Sequence, residues 1–132
     1  MTRLSIFAVA ALTLVCAGPS NFEPVIAQQG ITRTPLGTTD FPGGYQIVMG
    51  IAQIPANTCF DRHTHAGVES AYVLEGEVHL KIEGSPEKDA KAGSGVQIPP
   101  AAAHGGCTAA AGAKVLTVHV VEKGKPLSTP AP

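Results

Sequence analysis

Residues 61–69 read Asp61-Arg62-His63-Thr64-His65-Ala66-Gly67-Val68-Glu69, and the order of donor groups within them decides how the rest of the chain is understood. In an extended strand alternate side chains leave the same face, so His63 and His65 project together while Arg62 and Thr64 point the other way. Four residues after His65 comes Glu69, past Ala66-Gly67-Val68, a short loop that can return its carboxylate to a cation held by the two imidazoles. His104 follows the stop at Pro99-Pro100 at a distance that lets another strand deliver a further ligand. Any one of these side chains alone reads as a surface residue on a polar strand. Four at these spacings read as one metal site, with Glu69 either a ligand or a nearby general base.

Strand signals surround this stretch on both sides. Tyr45–Ile54 is nearly all apolar, which suits a strand covered on both faces, and Pro55 and Asn57 end it. After Ala71-Tyr72-Val73-Leu74, Gly76-Glu77 is predicted to turn the chain into Val78-His79-Leu80-Lys81-Ile82. That run alternates: Val78, Leu80 and Ile82 share one face, and Glu77, His79 and Lys81 the wet one. A turn at Glu83-Gly84-Ser85-Pro86 and a polar stretch, 87–91, precede a short strand at 96–98, and the last clear strand covers 114–121. Residues 28–44 read as an N-terminal arm or edge segment, and the Pro-rich tail, 123–132, as surface or disordered chain. Short strands separated by Gly and Pro turns, without helical periodicity, predict an all-β fold, an antiparallel jelly-roll barrel over 45–122.

The motif His63-x-His65-x3-Glu69-x6-Gly76 resembles the first motif of the cupin superfamily, and Gly93-x5-Pro99 with His104 resembles the second. The resemblance implies a single cupin barrel, a double-stranded β-helix, with one divalent transition-metal ion on His63, His65, Glu69 and His104. Fe, Mn, Ni, Cu, Co and Zn all suit three imidazoles and a carboxylate. In the second motif Ala101 stands where the family has Gly, which puts the local turn in question because a positive φ costs Ala more than Gly. Thr108 stands where Asn is often found. The family resemblance further implies a small-molecule substrate or ligand and, in many members, a homodimer. Metal-dependent dioxygenases of the quercetinase-like group share the ligand set, and there Glu69 would take the substrate proton. Isomerases, lyases and non-catalytic ligand-binding proteins share the barrel.

Arg3, the uncharged apolar run 4–17 and Gly18-Pro19 have the order of a secretory signal peptide. Fourteen residues are too few for a membrane span, which needs about 20, so the expected product has no permanent membrane anchor. Val25-Ile26-Ala27 places cleavage after Ala27, giving a periplasmic or secreted protein that begins at Gln28. Cys16 raises a lipoprotein alternative, disfavoured by bulky Val15. The formal charge of −1, the absence of Trp and the scattered Lys and Arg residues argue against a nucleic-acid partner.

Export would leave Cys59 and Cys107 in an oxidising compartment. If the strands bearing His63 and His104 are antiparallel neighbours with those residues opposed, the two cysteines also fall opposite one another within about one residue. A disulfide, two reduced thiols and thiolate ligation all remain open at this point. Of the other histidines, His79 is expected to be exposed. His119, among apolar residues, is expected to be a core histidine with its hydrogen bonds satisfied, or else to point into the barrel beside the site.

Overall fold

In the computed structural model, which describes residues 30–132, the β-branched and alternating runs of the sequence become eight strands. They are β1 (Thr32–Phe41), β2 (Tyr45–Ile54), β3 (Cys59–Thr64), β4 (Gly67–Ile82), β5 (Lys88–Lys91), β6 (Gly95–Ile98), β7 (His104–Glu122) and β8 (Thr129–Pro130). The segment expected to be a signal peptide, 1–27, lies outside the described residues. All the pairings are antiparallel. The fold is an all-β antiparallel jelly roll.

β4 and β7 are long enough to serve both walls. The first half of β4 pairs with the second half of β7, with β2, β1 and β6 alongside. The second half of β4 pairs with the first half of β7, with β3, β8 and β5 alongside. Between the walls lies a core that includes Ile54, Val73, Val78, Leu80, Ile82, Val96, Ile98 and Val115.

Gly76 does not turn the chain back, as its sequence context suggested. It bends a single strand, because β7 runs beside β4 on both sides of it and keeps supplying hydrogen-bond partners. Gly76 has φ 76° and Gly112, opposite it, φ 68°. A Cβ on Gly76 would lie 2.0 Å from the Gly112 carbonyl oxygen, so the two chains cross too closely for any side chain. The register slips between Val73 and Glu75 and again between Gly76 and Val78. Such slips invert which residues face inward. In β4 the buried positions are Glu69 and Val73 before the bend, but Val78, Leu80 and Ile82 after it. β7 makes the same switch, from His104 and Thr108 to Ala113, Val115, His119 and Val121.

Other elements differ from the expectation in ways their surroundings explain. The strand predicted over 114–121 begins at His104, and the polar stretch at 87–91 contains β5, whose outward residues are charged while Ala90 is buried. β2 occupies the predicted span but is not covered on both faces, since Tyr45 and Met49 are exposed. Residues 28–44 contribute edge strand β1. The tail contributes β8, where Thr129 pairs with Thr64 and Pro130 with His63. Ala101, standing where the resemblance calls for Gly, adopts φ 60°. This is the left-handed conformation that costs an L-residue about 1–2 kcal/mol. Its N–H donates to the carbonyl of His65 at 3.1 Å, so the strained turn holds a site residue.

Candidate metal centre

His63 and His104 are direct cross-strand partners on β3 and β7, and Cys59 and Cys107 are partners in the same ladder. A disulfide joins the two cysteines. Of the three states open from the sequence, the register and the bond agree on the cross-link. β3 ends at Thr64, leaving His65 just beyond the strand, and Glu69 is reached not on a loop but as the third residue of β4.

The histidines are held in one tautomer by main-chain carbonyls. A carbonyl can only accept, so each ring nitrogen beside one must carry the hydrogen. His63 Nδ1–H donates to Asp61 O at 2.9 Å, His104 Nδ1–H to Ala102 O at 3.0 Å, and His65 Nδ1–H to Leu127 O at 2.5 Å. In a neutral ring the other nitrogen, Nε2, then presents its lone pair. The three rings crowd together with centroids 4.2 to 5.0 Å apart. One donor atom from each of His63, His65 and His104 falls within 4.8 Å of the others.

Glu69 lies beside two of them, with its Oε2 2.9 Å from His65 Nε2 and 3.3 Å from His104 Nε2, and does not join His63 in one close donor group. Despite that approach His65 Nε2 is buried without a well-directed hydrogen bond. Donors that crowd one another without bonding in line are what a shared cation requires. His65, Glu69 and His104 are buried, whereas His63 is half-buried and nearer solvent.

Burial acts most strongly on Glu69 and raises its pKa, but the imidazoles of His104 and His65 beside it prevail and hold the carboxyl far below the usual range. His65 shows the converse: burial lowers its pKa, and the Glu69 carboxylate more than restores it, so the net shift is upward. Burial lowers the pKa of His63. A cation replacing the proton between His65 and Glu69 would meet two groups already arranged for positive charge.

His119 also belongs to this cluster. It is the cross-strand partner of Glu69 and is buried, with its ring 4.6 Å from that of His65. Burial pushes its pKa down to about 4. It is not a satisfied core histidine, because its Nδ1 has no hydrogen-bond partner. Its alternation with Val115 and Thr117 was the available signal, but that pattern does not reveal that β7 lies beside Glu69. The Leu127 carbonyl left no signal at all, since a main-chain group carries no residue identity. Arg33, on β1 opposite Ala52, is exposed. His79 is exposed, as expected, on the other side of the sheet.

Comparison with known proteins agrees with this architecture. DMSP lyase DddQ from Ruegeria pomeroyi superposes with a TM-score of 0.59 at 20% identity, covering 64% of this chain and 43% of that one. A cupin superfamily protein from Desulfitobacterium hafniense gives 0.60 at 12% identity, covering 71% and 80%. A single-residue variant of oxalate decarboxylase from B. subtilis gives 0.59 at 17%, covering 64% and 24%. The match thus spans less than half of the lyase and about a quarter of the decarboxylase, and identities this low speak for the fold alone. No protein of curated function matches by sequence. The family model described as the cupin domain matches residues 50–122, more than half of the 132-residue chain, so the chain belongs to the cupin family.

Proposed function

We propose that the chain is an exported metal-dependent cupin enzyme acting on a small oxygenated organic molecule, by dioxygenase chemistry of the quercetinase-like kind. One divalent transition-metal ion on His63, His65, Glu69 and His104 would polarise a substrate oxygen. The observation that carries the metal reading is the set of three carbonyl-held imidazoles, which leaves one donor atom of each to a cation, beside a buried carboxylate. The ion's identity stays within Fe, Mn, Ni, Cu, Co and Zn.

The surroundings favour one role for Glu69 over the other. Glu69 Oε2 sits 2.9 Å from His65 Nε2 and 3.3 Å from His104 Nε2, within the cluster of donors itself. That place suits a ligand better than a proton acceptor standing beside the ion. Substrate enters on the side of His63, the half-buried member, while His65 and His104 lie deeper. A second reading is lyase or decarboxylase chemistry on a small carboxylate, as the names of two structural neighbours suggest. The Cys59–Cys107 disulfide supports export, because such bonds persist in oxidising compartments.

The test is elemental analysis of protein purified from its own envelope, followed by oxygen uptake with flavonols and 1,3-diketones. About one metal per chain and uptake abolished by His104→Ala are expected. Turnover of small carboxylates without oxygen would select the second reading. Saturable binding without turnover would make the protein a ligand-binding cupin.

A further inference from the structure

Four imidazoles, not three, gather at the site, where the rings of His63, His104 and His119 all pack against His65, and the fourth, His119, is placed differently from the rest. His63, His65 and His104 each spend Nδ1 on a carbonyl. His119 Nδ1 is shut away from solvent with no partner. An imidazole at an inward position of a β-strand, among Val115, Val121 and other apolar residues, carries a desolvation cost that a hydrocarbon side chain would avoid. Its neighbours are informative. Glu69 lies directly across the ladder and His65 packs against its ring. One donor atom from each of His65, Glu69 and His119 falls within 4.8 Å of the others, and all three residues are buried. This second donor group shares His65 with the group formed by His63, His65 and His104, and leaves out half-buried His63.

We propose that His119 is a metal ligand, completing with His65 and Glu69 a buried donor set that holds the cation from below. The inference rests on the metal reading above and extends it to a residue outside both cupin motifs of this chain. The ladder supplies the geometry: the bend at Gly112 brings His119 onto the same inward surface as His104, although an unbroken strand would put the two on opposite faces. Because His63 is nearer solvent, the buried set retains the ion when His63 is lost, and His119 contributes more to affinity than His63 does.

Co(II) titration of the full mature protein, labelled with 15N-histidine, tests this without relying on activity. Hyperfine-shifted signals from four imidazoles are expected, with one set lost in His119→Ala and a different one in His63→Ala. Affinity for Co(II) should fall about tenfold or more in His119→Ala and by less in His63→Ala. His119→Gln, which keeps the size and polarity of the residue, guards against misfolding and should show the same loss of one set. Only three shifted imidazoles in the unsubstituted protein, with the same three and an unchanged affinity in His119→Gln, would overturn the assignment while leaving the metal site intact. No bound Co(II) at all would overturn both.

Discussion

Two clusters of histidine and carboxylate occupy opposite faces of the molecule, and they differ in what their ring nitrogens touch. On the outside, His79 places Nδ1 2.6 Å from Asp89 and Nε2 3.2 Å from Glu87, with Lys81 2.7 Å from Glu87. On the inside, His63, His65 and His104 turn Nδ1 to main-chain carbonyls. Carboxylates at both nitrogens favour the doubly protonated ring, which has no lone pair to offer. A carbonyl at Nδ1 leaves Nε2 as the position a cation can take, either directly, as at His63 where burial favours the neutral ring, or by replacing the proton that His65 shares with Glu69. Nearness of imidazole to carboxylate is common to both clusters; only the inner one gathers one nitrogen of each ring at a shared point. Glu69 and His79 even share β4 and numbering parity, and the register slips around Gly76 are what send one inward and the other out.

The most drastic way to break the comparison is to remove that bend. Gly76→Val puts side-chain atoms where the Gly112 carbonyl lies, and should cost more than about 4 kcal/mol, read as loss of the cooperative thermal transition. Next come the ligands themselves. His65→Ala and His104→Ala should each lower cation affinity by roughly 100-fold or more, whereas His79→Ala should leave it within a factor of about two. Competition against a chromophoric chelator measures both.

A smaller loss tests the role of the tail. Ending the chain before Leu127 removes the acceptor of His65 Nδ1–H together with β8, the cross-strand partner of His63 and Thr64. Metal affinity should fall about tenfold, since orienting groups around a ligand are worth that much, and the melting temperature should fall by a few degrees with the lost pairings. Equal affinity in the truncated protein would show that the tail is dispensable for orientation.

The smallest effect is a matter of sign. Asp89 and Glu87 raise the pKa of exposed His79, so its contribution to stability is present below the ordinary value of 6.5 and is lost as pH rises through the folded value. Asp89→Asn should move its NMR titration back toward 6.5. His119, lowered to about 4 by burial, behaves oppositely in metal-free protein. Its contribution is present above 6.5 and declines as pH falls toward 4. Titrations moving in the same direction for both rings would remove the distinction between the clusters.

How much of this was legible in the sequence depended on whether spacing or register carried the information. His63, His65, Glu69 and His104 could be selected because their spacings are local signals that survive without knowing which strands pair. The cysteine pair could be placed because the two histidines supplied a register for the same ladder, and a bulge between Phe60 and His63 absorbs the one-residue offset. His119 was left between a satisfied core histidine and a place beside the site, because its pairing with Glu69 depends on register. Alternation predicts a face only within an unbroken strand, and no turn signal at Gly112 announces the bend that reverses it. Gly76 was noticed but misjudged: a glycine between two apolar runs signals equally a hairpin and a bend, and only the partner strand decides. The closure of the tail over His65 depends on a carbonyl and two strand residues, features without any compositional mark.

The disulfide has a consequence for how the site is assembled. Along the chain His63 and His104 are separated by a span that includes β4, β5 and β6, and bringing them together costs the entropy of closing that long loop. Once Cys59 and Cys107 are joined, the path between the two imidazoles shrinks to four residues on one side of the bond and three on the other. The pair then meets at a high effective concentration even in an unfolded chain. Oxidation therefore acts as a covalent memory of register, and a cation arriving during folding would encounter two of its ligands already paired.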